Sequence, residues 1–194
     1  RIAEVLGSES VGAEIVGQLG FGRWGEELSP EDLEEVLRAM VAAGHSATAL
    51  AILERRIKSK PPERERWHPL AFQLVTNPKL IRSGDMTGYY WKEVANSLVS
   101  DHPGEIALAI IREQGDRAAG TWFAEYSEAA QVLRACVKHD PAAVWAALQP
   151  QLSSSGDAYR FCIGFPRGVL EGIPAGQVMA WVAEKPDERA AIVA

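Results

Sequence analysis

The feature that most constrains the fold is a helix–turn–helix pattern that recurs along the chain with a proline at its turn. In the clearest copies this residue is Pro103, Pro141 or Pro186, so that the turns lie 38 and 45 residues apart. A fourth copy, at 35–53, has His45 in place of the proline, 58 residues before Pro103. Repeats of this length are typical of stacked pairs of helices.

Each copy carries apolar residues at helical spacing on both sides of the turn. This spacing places them on one face of each helix. The stripe residues are Leu33, Val36, Leu37, Met40 and Val41; Trp91, Val94, Ala95, Leu98 and Val99; Ala129, Val132, Leu133, Cys136 and Val137; and, after a turn, Ile106, Ala107, Ile110 and Ile111. Because a pair of short helices cannot bury two stripes by itself, we expect each pair to stack on a neighbour.

The turns contain residues that end one helix and begin the next. Asp140 is a good N-cap, and Pro141 suits the first helical position, where no N–H is needed. Proline also disfavours helical conformation in the residue before it, which keeps two helices from fusing into one. The stretch 29–32, Ser-Pro-Glu-Asp, repeats the arrangement with Ser29 as the cap. The prolines therefore have a structural role.

The interval of 58 residues needs one further helix, which we place within 68–80. We expect residues 1–28 to hold an N-terminal helix and a glycine-rich connection, as part of a truncated repeat. The array itself covers 29–194. Because the chain begins at Arg1 without Met and ends within an apolar helical pattern, we expect the array to continue beyond residue 194 in a longer protein.

In period, paired-helix design and Asp-Pro turn, residues 29–194 resemble HEAT-like repeats. The resemblance implies an all-α fold, an α-solenoid of stacked antiparallel helical hairpins with an irregular period of 38–58 residues. HEAT units typically follow the turn with a Val-Arg pair, whereas here Trp145 follows Val144 and Ala107 follows Ile106. This departure leaves the particular repeat family open.

Composition agrees with a helical protein and bears on its location. The chain has 29 Ala and only four Thr, a bias toward helix formers. Its net charge of −6 argues against a surface selected as a whole to hold nucleic acid. Cys136 and Cys162 are the only cysteines, and Cys136 falls on an apolar stripe, which favours a buried reduced thiol. No apolar run approaches the roughly 18 residues of a membrane span, so we expect a cytoplasmic protein with no membrane partner.

The search for chemistry gives no candidate catalytic, cofactor or metal site. His102 and His139 lie in inter-helix turns beside Asp101 and Asp140, and stacking would bring neighbouring turns about 10 Å apart. A metal or acid–base site is one interpretation of these turns, but solvated turn residues and helix caps are the favoured one. The glycine-rich stretch 20–25 follows no strand, which argues against phosphate binding.

Basic residues cluster between Glu54 and Arg66, a range that we call the basic segment. Its six bases against three acids give it a net charge of +3, which leaves −9 on the remainder. One interpretation is a patch that meets phosphates or an acidic partner, with an adjacent tryptophan to stack on a base. The other is a solvated helix end followed by a linker. The candidate residues are Arg55, Arg56, Lys58, Lys60, Arg64, Arg66 and Trp67.

These observations lead to one preferred function and two alternatives. We expect a non-enzymatic helical scaffold, without a cofactor, that binds a protein partner or other domains of its own chain. Aromatic residues fill most of its core, and a few exposed ones anchor the partner. The first alternative is nucleic-acid binding through the basic segment. The second is an enzyme like the helical-repeat DNA glycosylases, which work with Trp and Asp in a concave cleft, although none of the six Trp matches that family's motif.

Overall fold

The computed structural model describes residues 28–81, 86–115, 127–154 and 168–193, and all regular structure within these ranges is helical. The α-helices are α1 Pro30–Ala42, α2 Ser46–Ser59, α3 Arg64–Val75, α4 Pro78–Ile81, α5 Met86–Leu98, α6 Pro103–Gly115, α7 Glu128–His139, α8 Pro141–Ser154, α9 Ala175–Glu184 and α10 Pro186–Val193. Short 3₁₀ turns occupy Pro61–Glu63 and Leu170–Gly172. The all-α fold class predicted from the sequence is confirmed.

The predicted turn residues begin the helices. Pro103, Pro141 and Pro186 are the first residues of α6, α8 and α10. The N–H of Ala143 donates to Asp140 Oδ1 at 2.9 Å, so Asp140 caps α8 as expected. At the proline-free turn, Gly44 adopts a φ of +88° after α1, a left-handed conformation that glycine takes without strain.

The long interval before Pro103 holds two helices, α3 and α4. Helix α3 begins at Arg64, inside the basic segment and before the helix predicted within 68–80, so little of the segment is a connection. The connection is shorter than expected because α2 runs to Ser59 and the Pro-Pro pair forms only one 3₁₀ turn. Pro69 lies inside α3 and is exposed, so water can solvate the carbonyl that its missing N–H leaves free.

Many of the contacts between helices join helices that are not consecutive in the chain. Helix α5 contacts α2 and α7, and α6 contacts α4, α7 and α8. The additional helix α3 packs on α2 and α5.

The apolar stripes form the core between these helices. The stripe residues of three helices are all buried. They are the five at 91–99 on and just after α5, the four on α6 and the five on α7. In α1, Leu33, Leu37 and Met40 are buried, whereas Val36 and Val41 are only partly so. Cys136 is a buried free thiol, as predicted, and burial raises its pKa to about 12.

Candidate functional site

The basic segment spans the last turns of α2, the first 3₁₀ turn and the start of α3. Successive residues on a helix project about 100° apart. The bases of the segment therefore point in several directions, and they differ widely in burial and in partner.

Arg56 and Trp67 are buried, which corrects their assignment to an exposed patch. The Arg56 side chain is 1% exposed, and its Nε donates to Glu63 Oε2 at 2.9 Å. Trp67 is fully buried in the core, so its ring cannot stack on a nucleobase. Both residues face inward because the core between α2, α3 and α5 takes one face of each of these helices.

Lys58 links α2 to α5. Its Nζ lies 2.6 Å from Glu54 Oε1 on its own helix and 2.9 Å from Glu93 Oε2 on α5. The hydrogen bonds that it donates to Glu54 and Glu93 raise the pKa of its ammonium group. This cation is half exposed and has two acidic partners within the protein.

Arg66 ties α3 to α1. Its Nη1 lies 2.7 Å from Glu31 Oε1, and its Nη2 lies 3.5 Å from Glu34 Oε2. The hydrogen bond to Glu31 raises the pKa of the guanidinium and lowers the pKa of the Glu31 carboxyl. The guanidinium also lies 5.8 Å from the ring centroid of Trp67.

Arg64 ties the start of α3 to the end of α5. Its Nη2 donates to the carbonyl oxygen of Ser97 and lies 3.8 Å from Asp101 Oδ2 in the turn before α6. Asp101 also lies 3.9 Å from His68 Nδ1, a neighbour that the sequence analysis did not assign to this histidine.

Two bases of the segment form no link between helices. Lys60 Nζ is 3.9 Å from Glu63 Oε1, three residues away. Arg55 is partly exposed and makes no ion pair within the ranges that the structure describes. We call the pairs of Lys58 with Glu93, Arg64 with Asp101, and Arg66 with Glu31 and Glu34 the charge clamp. Most of the predicted patch thus faces acidic side chains of the same protein.

The two histidines of the inter-helix turns, His102 and His139, have different surroundings. The ring of His102 lies 4.9 Å from that of Phe72, and its Nδ1 is 3.7 Å from Glu105 Oε1 in the first turn of α6. His139 is exposed in the last turn of α7. In the described ranges, no three His, Cys, Asp or Glu side chains are grouped so that they could hold a metal ion.

Four of the seven aromatic residues that the structure describes are buried, and all four are tryptophans. Trp91 is buried, and its Nε1 donates to the carbonyl of Val75 at 2.9 Å. Trp145 and Trp181 meet edge to face at 5.7 Å between centroids, which joins α8 to α9. Tyr89 is an exposed ring on α5. The glycine-rich stretch 20–25, Arg117, Cys162 and the aromatic groups at 122–126 and 159–165 lie outside the described residues.

Helix α9 has an exposed apolar face that was not predicted from the sequence. Trp181 and Val182 turn inward and are buried, whereas Gly176, Met179, Ala180 and Ala183 are exposed on the opposite side. We call these four residues the α9 outer face. Its signal in the sequence is a run without charge, residues 175–183, that is longer than one buried stripe requires.

No helix in the described part of the chain is long and apolar enough to cross a membrane. No protein-family model matches the chain, and neither does a curated protein or a solved structure.

Proposed function

We propose that this protein is a non-enzymatic helical scaffold of the cytoplasm, built as a HEAT-like α-solenoid, whose function is to bind another protein. The observation that carries the proposal is that α5 contacts α7 while α6 contacts α8, so that these contacts alternate along the chain. Stacking of successive helix pairs produces extended surfaces, and such surfaces are what helical-repeat proteins use to bind partners.

The contact between α6 and α8 supports regular stacking. A Cβ atom added at Gly104 would lie 3.0 Å from Ala143 Cβ, so the two helices approach closely near their N-termini. Gly104 is the first residue after Pro103, and Ala143 is the second residue after Pro141. The first turns of two successive proline-initiated helices thus meet, which is the kind of contact that stacking of a repeated unit requires.

Nucleic-acid binding through the basic segment is less well supported than protein binding. Phosphates would have to compete with Glu93 for Lys58 and with Glu31 for Arg66, at distances of 2.9 and 2.7 Å. Breaking these pairs would also loosen the contact of α2 with α5 and that of α3 with α1. Arg55 and Lys60 alone offer two charges, fewer than the 6–10 phosphate contacts of a typical strong DNA-binding surface.

A glycosylase-like enzyme is also less well supported. That chemistry requires Trp and Asp side chains that reach a substrate base in an open cleft. Trp67, Trp91, Trp145 and Trp181 are all buried in the core, where they pack against other helices and cannot contact a base.

Two solution measurements test the proposal. The first is small-angle X-ray scattering. We expect a radius of gyration of about 19 Å, because a stack of helix pairs spaced about 10 Å apart extends further than a compact domain of this length, at about 16 Å. A value of about 16 Å would contradict the stacked array.

The second is fluorescence anisotropy with labelled single- and double-stranded DNA and RNA, from low to physiological salt. We expect no binding that falls steeply with salt. The informative variant is Arg55→Ala with Lys60→Ala, which leaves the charge clamp intact. Its matched control, Arg38→Ala with Lys185→Ala, removes the same charge elsewhere, from bases paired only within three or four residues. Salt-sensitive binding that the first variant loses and the control keeps would replace the scaffold proposal with nucleic-acid recognition.

A further inference from the structure

Helices α9 and α10 bury less of their surface than the helices before them. Within the described residues, each of the two packs more extensively on the other than on any other helix. Helix α9 buries Trp181 and Val182, and none of the described side chains of α10 is buried. Helix α7, by contrast, buries six side chains. Local stability is low where buried apolar contacts are few, so the α9–α10 pair is held less firmly than α7.

The contact that holds this pair to α8 is aromatic. Trp181 of α9 meets Trp145 of α8 edge to face, with 5.7 Å between the ring centroids. Both rings are buried. An edge-to-face pair at this separation is stabilising beyond the area that it buries. We call Trp145 and Trp181 the aromatic latch.

Arg189 ties α10 to the same tryptophan. Its guanidinium carbon lies 4.4 Å from the centroid of the Trp181 ring, and its Nη1 donates to the carbonyl oxygen of Trp181 at 2.5 Å. The same Nη1 lies 2.7 Å from Glu184 Oε2. All of these contacts lie within the α9–α10 pair, so α10 follows α9 wherever Trp181 moves.

The residues just before α9 are anchored elsewhere, on α7. Val169 and Ile173 are buried, and the 3₁₀ turn between them packs on α7. The approach is close, because a Cβ added at Gly172 would overlap Val137 Cγ1. Ile173 and Pro174 then link the turn to α9 with extended ψ angles of 129° and 124°. A few residues between two elements are the usual place of a hinge.

The packed position leaves two polar atoms without partners. Trp145 Nε1 and Gln177 Oε1 are buried and make no hydrogen bond to the described residues. Gln177 precedes Trp181 by four residues, so both lie on the same face of α9. A buried polar group without a partner is unfavourable, and exposure to water removes that cost. Separation of α9 from α8 therefore has a compensating gain.

We propose that the α9–α10 pair opens as a unit. It rotates about Ile173 and Pro174, and Trp181 leaves Trp145, while the 3₁₀ turn and the helices before it keep their structure. The packed position predominates because it buries both rings of the aromatic latch. This conformational device goes beyond the scaffold function and does not depend on it, since it follows from the contacts of one helix pair.

Native-state hydrogen exchange of the whole chain, followed by mass spectrometry at low urea concentrations, tests the proposal. We expect peptides of α9 and α10 to share one degree of protection, about 100-fold or more below that of peptides from α5, α6 and α7. We also expect α9 and α10 to share one weak dependence on urea, because opening exposes less surface than unfolding.

The decisive variant is Trp145→Ala, because it changes α8 and leaves every residue of the moving pair in place. It should speed exchange in α9 and α10 together about tenfold or more, relative to α5, α6 and α7 in the same variant. Trp145→Leu is the milder version, which keeps apolar volume and acts in the same direction. The control is Met179→Ala, which removes an apolar side chain from the α9 outer face and leaves the relative rates unchanged.

Three outcomes overturn the inference. Protection of α9 and α10 equal to that of α5, α6 and α7 would mean that the pair opens only when the whole protein unfolds. Unequal urea dependences of α9 and α10 would mean that the two helices open separately. Acceleration by Trp145→Ala that is the same in every helix would mean that the aromatic latch supports the whole fold and does not hold this pair in particular.

Discussion

Replacement of Arg56 by Ala should destabilise the protein strongly, whereas the same replacement of its neighbour Arg55 should not. The two residues are adjacent in the sequence and belong to the same basic segment. In the structure Arg56 is buried and bonded to Glu63, and Arg55 is partly exposed without an ion pair among the described residues. The comparison separates a structural role of the segment from a role in binding.

The magnitude follows from the surroundings of Arg56. A hydrogen bond to a charged group contributes about 1.5–3 kcal/mol, and the buried alkyl stem adds packing that alanine loses. Loss of one partner of a buried pair typically costs about 3–5 kcal/mol. The Glu63 side chain is 27% exposed, so water partly solvates the carboxylate that remains. We expect a loss of about 3 kcal/mol for Arg56→Ala and less than about 0.5 kcal/mol for Arg55→Ala.

Urea unfolding followed by circular dichroism measures both values. For a chain of this length a loss of 3 kcal/mol lowers the melting temperature by about 6–12 °C. Arg56→Met is a useful third variant, because it keeps the packed stem and removes only the charge and its hydrogen bonds. Its stability should fall between those of the wild type and Arg56→Ala.

Equal stability of Arg55→Ala and Arg56→Ala would refute the reasoning, since it would mean that the buried guanidinium contributes nothing to the fold. The comparison also has a practical consequence for binding studies. A variant that removes Arg56 together with exposed bases would lose binding by unfolding, so the anisotropy experiment leaves Arg56 in place.

Two further predictions follow from the core. Burial raises the pKa of Cys136 to about 12. At pH 8 a thiol-reactive reagent should therefore modify Cys136 far more slowly in the native protein than in the unfolded protein, as measured by mass spectrometry of the peptide that contains it. Because folding raises the pKa of this thiol, its contribution to stability is complete below the ordinary pKa of 9.0 and is lost as pH rises toward about 12. A rate of thiol modification in the native protein equal to that in the unfolded protein would contradict the burial. Gly172→Ala should lower the free energy of unfolding, measured in urea, by about 1–3 kcal/mol, because its Cβ would lie 2.3 Å from Val137 Cγ1. Gly176→Ala, which has open space around it in α9, should raise the free energy of unfolding by about 0.5–1 kcal/mol. Equal effects of the two substitutions would show that the close approach at Gly172 is wrong.

The features predicted from the sequence were those that depend on near neighbours along the chain. Apolar spacing gave the buried faces of α5, α6 and α7, because a helical period fixes which residues share a face. Turn chemistry gave the start of α8, where Asp140 caps and Pro141 begins the helix. Both signals act within about one helical turn, and both were confirmed.

The predictions that failed depend on distant residues. Arg66 and Lys58 each pair with an acid on another helix, Glu31 and Glu93 respectively, 35 residues away in each case, and no local pattern indicates these two partners. Trp67 looks available beside a row of bases, but packing between α2, α3 and α5 turns it into the core. A cluster of charges in the sequence therefore did not become a cluster on one surface.

The charge clamp explains why bases concentrate at this point of an acidic chain. The interval between His45 and Pro103 is longer than the other intervals, and α3 is the helix that fills it. Apolar burial holds α3 against α2 and α5, but it is non-directional and does not fix where the helix lies along them. Arg66 fixes one side to α1, and Arg64 fixes its first turn to the end of α5. The acids of α1 and α5 supply the counter-charges, so the excess of bases in the segment specifies the position of an inserted helix.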